Sequence, residues 1–353
     1  MHRFSLLVPL LALLGCTDKG FTLDTGDLVD TGVPQCGRVR GTEGILLYQD
    51  DGNAIRSPVD APDAVDNTTG VAGPLGDDRT YVAVMNGRAL QSLDGGCNWD
   101  AVGNLPTGDW RLVAAGSRVY AFDAASAAGA RSDDLGVSWT AFDAVEAFVG
   151  EQPVVDAADT ARLRGLQARG VVTSSDGGES WSVGAALPAE ATNLADADLS
   201  RGNLDVAVLA AGNGAWRTEN AGTSWSPIGT DATSAVAIHP DDGAVVFATM
   251  TDADALTTIY RSADSGGTWS RLVDSTQVVL PTGPALWPVP GNTLQALSAE
   301  GPLYNENTET DGVNVYIVTG GSGTRTSFVG TFFRVHQFAF GDDRWVAAVD
   351  AVP

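Results

Sequence analysis

The 353-residue sequence predicts an all-β chain: a seven-bladed β-propeller of four-stranded antiparallel blades, the last one closed by strands from both chain ends. Three observations carry this. First, an eight-residue box, [ST]-x-[DN]-x-G-x-x-W, occurs five times: residues 92–99 (SLDGGCNW), 132–139 (SDDLGVSW), 174–181 (SSDGGESW), 218–225 (TENAGTSW) and 262–269 (SADSGGTW). Their first residues stand 40, 42, 44 and 44 positions apart, a fixed period of the kind that marks solenoids and propellers. Second, each period holds about four short apolar or β-branched runs separated by turn residues, and helical periodicity is nowhere sustained. Third, the two ends of the repeating region each hold half a unit.

In chain order, residues 1–15 read as an export signal: Met1-His2-Arg3, then an apolar run from Phe4 to Leu14 that is too short to span a bilayer. Gly15-Cys16 resembles the bacterial lipobox, and the resemblance implies cleavage before Cys16 and lipid on its thiol; the alternative is a plain signal peptide with an incidental cysteine. A lipidated chain is anchored to a membrane without crossing it. Thr17 after the cysteine does not look like an inner-membrane retention signal, which favours the outer membrane. Residues 16–36 are acidic and rich in Gly and Thr, a flexible tether with too little apolar surface to fold. Its two Asp-Thr-Gly triplets, at Asp24 and Asp30, are too close together to face each other across a protease cleft. Residues 37–353 form the propeller.

The formal charge of −24 comes from 44 acidic and 20 basic residues, and the only lysine is Lys19. Such a surface repels phosphate backbones and anionic lipid heads, so nucleic acid is excluded as a partner. Lipidation of Cys16 leaves Cys36 and Cys97, both exported, where disulfides persist. A bond between them would pin the tether to the first full repeat, provided their α-carbons lie within about 7 Å.

The fourth full repeat shows the unit. Residues 205–211 (DVAVLAA) suit a buried strand, Gly212-Asn213-Gly214 a tight hairpin turn, and residues 215–218 lead into the box. Residues 234–239 (SAVAIH) open the next repeat. In the box, Asp or Asn can accept backbone N–H groups of the following turn, Gly supplies positive φ or close approach, and Trp buries its face while its N–H finds a partner. The box resembles the Asp-box of the sialidase-like (BNR) repeat families. The resemblance implies a hairpin between the third and outermost strands, away from the binding face. Asp94, Asp134, Asp176, Asn220 and Asp264, with Trp99, Trp139, Trp181, Trp225 and Trp269, are therefore expected to be structural. No box offers the clustered oxygens of a calcium loop, and no cofactor or metal is expected.

One period before Ser92, residues 48–55 (YQDDGNAI) keep the Asp and Gly of the box; one period after Ser262, residues 293–307 (TLQALSAEGPLYNEN) read as strand, turn and strand before a decayed box. Residues 335–350 look like the first two strands of a blade and residues 44–57 like the last two. Paired, they complete a seventh blade and remove the open sheet edges.

The chemistry is sparse. His239 and His336 lie in strand-like runs with no cysteine or histidine at ligand spacing, which reads as buried, satisfied histidines. No nucleophile elbow or phosphate loop occurs. Sialidases need three arginines and a Tyr–Glu pair, the first arginine in an Arg-Ile-Pro motif; Arg38, Arg40 and Arg56 do not match it. Arg131, Arg217 and Arg261 precede boxes, where packing or pairing on the blade is expected. Glucan-cleaving propellers of similar repeat use two carboxylates across a cleft, a signal with no specificity among 44 acids. The repeat also resembles that of lipidated photosystem assembly factors, which are non-catalytic and bind through an arginine patch that this chain lacks. Two loops, residues 281–292 and 320–326, do not repeat, and Trp287 in the first suits stacking on a sugar or an apolar partner surface. The expectation is a monomeric, outer-membrane lipoprotein that binds a glycan or an envelope protein; the alternative is a glycoside hydrolase, sialidase-like or glucan-cleaving. If the ends close the ring, deleting residues 335–353 should abolish cooperative unfolding, and a truncated chain that keeps its full thermal transition would overturn the closure.

Overall fold

Short runs such as 81–85 (YVAVM) and 207–211 (AVLAA) are apolar at every position because they are buried on both faces, and they form the middle strands of stacked sheets. In a computed structural model, the structure describes residues 36, 39–41, 44–49, 54–56, 68–77, 79–254, 257–272, 286–305, 310–319, 332–341 and 344–351. The chain divides into two units, Met1–Gly32 and Val33–Pro353, and every described residue lies in the second. Cys16, the signal segment, the tether before Cys36 and residues 320–326 lie outside the described residues.

All the elements among the described residues are strands. β1 (Ile45–Gln49) and β2 (Ala54–Arg56) come first. A first sheet follows, β3 (Thr68–Ala72), β4 (Tyr81–Met85), β5 (Arg88–Ser92) and β6 (Asp100–Asn104). The second holds β7 (Trp110–Ala115), β8 (Arg118–Asp123), β9 (Ala128–Ser132) and β10 (Thr140–Asp143). The third holds β11 (Phe148–Val155), β12 (Leu163–Gln167), β13 (Gly170–Ser174) and β14 (Ser182–Val183). The fourth holds β15 (Leu194–Leu199), β16 (Ala207–Ala211), β17 (Gly214–Thr218) and β18 (Ser226–Gly229). The fifth holds β19 (Ala232–His239), β20 (Asp242–Thr251), β21 (Thr257–Ser262) and β22 (Ser270–Arg271). The sixth holds β23 (Leu286–Pro288), β24 (Gln295–Asn305) and β25 (Thr310–Thr319), and β26 (Phe332–Phe340) and β27 (Arg344–Ala351) end the chain. The remaining sheet has the order β2-β1-β27-β26, taking two strands from each end, and its strands pair antiparallel.

Apolar clusters lie between consecutive sheets. Tyr120, Phe122, Phe148, Leu163 and Val172 join the second and third sheets; Val208, Val236, Ile238 and Val246 join the fourth and fifth. Val289 and Leu297 of the sixth meet Val335, Phe338 and Leu46 of the two-ended sheet, whose other face meets the first through Ile45, Leu47, Val346, Tyr81 and Leu90. The first strands touch in series: β3 with β7, β7 with β11, β11 with β15, β15 with β19, β19 with β23, and β26 with β3.

Two expectations need correcting. Residues 293–307 do not turn at Glu300-Gly301-Pro302: β24 runs straight through, with a register shift between Glu300 and Leu303. Proline has no N–H to give the ladder, and the bulge accommodates it. The sixth sheet has three strands among the described residues. Trp287 is not in a loop either. Leu286–Pro288 is a strand paired with Ala296, Leu297 and Ser298, because the turn after it is closed by Val289 N–H to Gln295 O at 3.1 Å and Gln295 N–H to Asn292 O at 3.0 Å.

Cys36 is bonded to Cys97, with α-carbons 5.8 Å apart. The following segment docks beside the first box: Arg40 N–H donates to Cys97 O and Trp99 N–H to Arg40 O, both at 2.9 Å. Gly41, at φ 86°, lies so close that a Cβ would meet Trp99 O at 2.0 Å. The bond closes a loop of 61 residues, so replacing both cysteines by serine should lower stability by about 4 kcal/mol. A urea transition unchanged by the double substitution would show that the bond restrains nothing in the unfolded chain.

Candidate functional site: a cavity walled by the first strands

The first strand of each sheet is an edge strand, with one side of its backbone unpaired by any ladder. Side chains from neighbouring sheets take up several of these groups. Asp196 and Asp198, two residues apart on β15, point the same way, and their Oδ2 atoms accept the N–H groups of Val236 (3.0 Å) and Ile238 (2.8 Å) on β19. Their Oδ1 atoms accept Ala197 and Leu199 N–H, both at 2.8 Å. Burial pushes the Asp198 carboxyl up, and the Ile238 N–H, the Arg201 charge and the Leu199 N–H offset only part of this. Gln337 on β26 does the same for two strands at once. It accepts Leu112 N–H at 2.9 Å and Val71 N–H at 3.2 Å, and donates to Leu112 O at 2.6 Å and to Gln152 Oε1 at 3.2 Å.

These strands wall a cavity of about 860 Å³. On one side lie Trp287, Phe338 and Phe340: Trp287 meets Phe338 edge to face at 4.9 Å, and Phe338 stacks on Phe340 at 6.0 Å. β11 breaks register between Val149 and Val154, and the bulge brings Gly150, Gln152 and Pro153 to the lining. The charged or titratable liners among the described residues are Arg111, Asp196, Asp198, Arg201 and His336. Arg111 is buried against Asp109 at 2.6 Å and donates to Thr69 O at 3.1 Å; His336 Nδ1 is 3.8 Å from Asp109. His239 is fully buried. Its Nδ1 accepts Asp241 N–H at 3.2 Å, which leaves the proton on Nε2 for Val289 O at 2.9 Å. No group of His, Cys, Asp and Glu side chains among the described residues could hold a metal ion.

The five boxes lie elsewhere, joining the third strand of a sheet to the fourth, and none of their residues lines the cavity. Their geometry is shared. At 174–181, Gly178 N–H donates to Ser174 Oγ (2.9 Å), Ser174 O–H to Asp176 Oδ1 (2.8 Å), Ser180 N–H to the same Oδ1 (2.9 Å), and the Ser180 hydroxyl to Oδ2. Asp94 with Asn98, Asp134 with Ser138 and Asp264 with Thr268 repeat this. Asn220 holds Ser224 N–H with Oδ1 and donates its own N–H to Ser224 Oγ at 2.9 Å. The partner immediately before each Trp was missed in the sequence, although that column holds only Asn, Ser or Thr. Trp99, Trp139 and Trp181 donate to the carbonyl of their own box glycine, whereas Trp269 reaches Ile228 O of the preceding sheet at 2.6 Å. The Trp225 indole N–H has no partner among the described residues.

The boxes also touch the sheet before them. A Cβ on Gly222 would meet Val171 at 2.6 Å, one on Gly266 Ile228 at 2.4 Å, and one on Gly178 Phe142 at 2.8 Å. The residue before that glycine offers its carbonyl: Gly95 O accepts from Arg344 (2.9 Å), Leu135 O from Gln91 (3.2 Å) and Gly177 O from Arg131 (3.2 Å). Of the other pre-box arginines, Arg217 pairs with Glu219 and Arg261 donates to Thr293 O.

A family model described as the DUF6242 beta propeller domain matches residues 76–332. No curated protein matches the chain in sequence. Among solved structures, the chain is similar to YCF48 from Cyanidioschyzon merolae (14% identity, TM-score 0.59), over 87% of this chain and 97% of that one. A structure of YCF48 bound to D1 peptide aligns over 89% and 99% (14% identity, TM-score 0.53). The GH74 enzyme of Niastella koreensis aligns over 90% of this chain but only 42% of its own (20% identity, TM-score 0.51). At these identities the likeness shows the fold alone, a β-propeller.

Hydrogen bonds hold the box carboxyls below their ordinary value. The Ser138 side chain is foremost at Asp134, the Ser180 side chain at Asp176 and the Thr268 N–H at Asp264. At Asp94 burial pushes upward, but bonds from Asn98 and Ser92 outweigh it. Lowered folded values mean that these acids contribute stability fully above about pH 4 and lose it as the pH falls through those values. Asp176→Ala should cost about 1 kcal/mol, and Asp176→Asn, which copies Asn220, much less. Replacing all four aspartates by asparagine should flatten the acid limb of stability against pH; an unaltered limb would show that the boxes do not drive acid unfolding.

Proposed function

The chain belongs to the DUF6242 β-propeller family, and from that premise we propose that it is a non-catalytic binding or scaffold module of the cell envelope whose ligand, a glycan or a protein, enters the central cavity. One observation carries the reading: the cavity's two carboxylates among the described residues, Asp196 and Asp198, are two positions apart on one strand, and their oxygens accept backbone N–H groups. A glycosidase needs its pair flanking the scissile bond, one on each side. We further propose a closed ring of seven blades with Asp-box repeats of the BNR type. The sheet order β2-β1-β27-β26 and the apolar clusters between the two-ended sheet and both its neighbours support it.

Protein binding draws support from the YCF48 structure with D1 peptide, a protein that the chain matches over nearly its whole length. The hydrolase reading draws on the GH74 likeness, of which the chain spans less than half. Anchoring of a monomer to the outer membrane through lipid on Cys16 rests on the lipobox resemblance alone. The purified chain should release no product from a fluorogenic sialoside or from xyloglucan, while a glycan array or an envelope pull-down yields a ligand. Measurable turnover of either substrate would sink the non-catalytic reading.

A further inference from the structure

We propose that the cavity takes a neutral saccharide, seated on the aromatic side formed by Trp287, Phe338 and Phe340. The proposal rests on the reading above that the cavity is the binding site, and it names the class of ligand. The chain carries a formal charge of −24, yet the cavity's charged liners among the described residues are two arginines and two aspartates, which sum to zero. Arg111 is paired with Asp109. Asp196 and Asp198 are engaged by backbone N–H groups, and the positive charge of Arg201 acts on Asp198. A ligand recognised by its own charge would meet groups whose charge is already balanced within the walls.

An extended peptide would bind by adding a strand to an open sheet edge. At β19, β3 and β7 those edges already carry the side chains of Asp196, Asp198 and Gln337. The cavity also offers aromatic surface beside uncharged polar groups. Trp287 is half-buried and held at 67° against Phe338, so its indole is presented without a large loss of side-chain freedom. The β11 bulge brings the Gln152 amide to the same cavity, where its Oε1 accepts from Gln337. An aromatic face suits the C–H face of a sugar ring, and an amide suits its hydroxyls. The volume of about 860 Å³ is of the size that holds such a ligand.

The test is calorimetric titration of the full chain with neutral gluco-, xylo- and galacto-oligosaccharides, with sialyllactose and oligogalacturonate as anionic comparators, and with a proline-rich peptide. Saturable binding of a neutral oligosaccharide is expected, with anionic sugars and peptide inert. Trp287→Ala should weaken it about tenfold, Trp287→Phe less, and Gln152→Ala should weaken it too. Thermal transitions of the variants separate lost binding from lost fold. No binding by any neutral sugar overturns the proposal, as does binding that survives Trp287→Ala in a folded variant. Peptide binding lost on Trp287→Ala would overturn it while leaving the cavity as the binding site. Cleavage of a bound neutral oligosaccharide would do the reverse, keeping the ligand class and removing the non-catalytic reading.

Discussion

The structure depends on one small hydrogen-bonded turn. In each box a hydroxyl accepts the glycine N–H and donates to a carboxylate or amide oxygen that also receives an N–H four residues on. The turn places two consecutive residues at positive φ, as with Leu135 at 57° and Gly136 at 93°. Only the second must be glycine for reasons of space, because it lies against the preceding sheet. In three of the boxes the carbonyl exposed by the first receives an arginine or glutamine from that sheet. The turn therefore ends one sheet and fastens it to another.

At the opposite end of each sheet the difficulty is reversed. The outer strands are short, but the first strands stand close together around a cavity and have open edges. Backbone groups buried without partners cost on the order of 1–3 kcal/mol each, and here side chains supply the partners. Asp196, Asp198 and Gln337 act as substitutes for missing ladder bonds. Placing two acids there costs desolvation, visible in the raised Asp198 carboxyl. Acids used in this way hold the walls of the cavity.

The repeating parts of this architecture were legible and the singular parts were not. Five boxes at a near-constant spacing announce themselves, and half-units at the two ends can be matched by eye. Asp196 and Asp198 sit in LADADL, which reads as an ordinary strand with one polar face; nothing in that pattern says that the polar face meets another strand's backbone. Gln337 is a lone amide in an apolar run, and its partners lie 225 and 266 residues away in sequence. Gly301-Pro302 reads as a turn in sequence, yet the long β24–β25 ladder absorbs it as a bulge. Trp287 between prolines reads as a loop, because proline's strand-edge use depends on neighbours that the local sequence does not reveal.

The bond between Cys36 and Cys97 has a mechanical consequence. Any pull on the chain before Cys36 enters the fold through a sulfur of the first box turn, bypassing residues 37–44. Arg40, bridged in parallel to Asn98, is thereby shielded from peeling. Load reaches the first sheet at the turn that also receives Arg344 from the two-ended sheet, so a force on one end of the chain is shared at once by strands from the other.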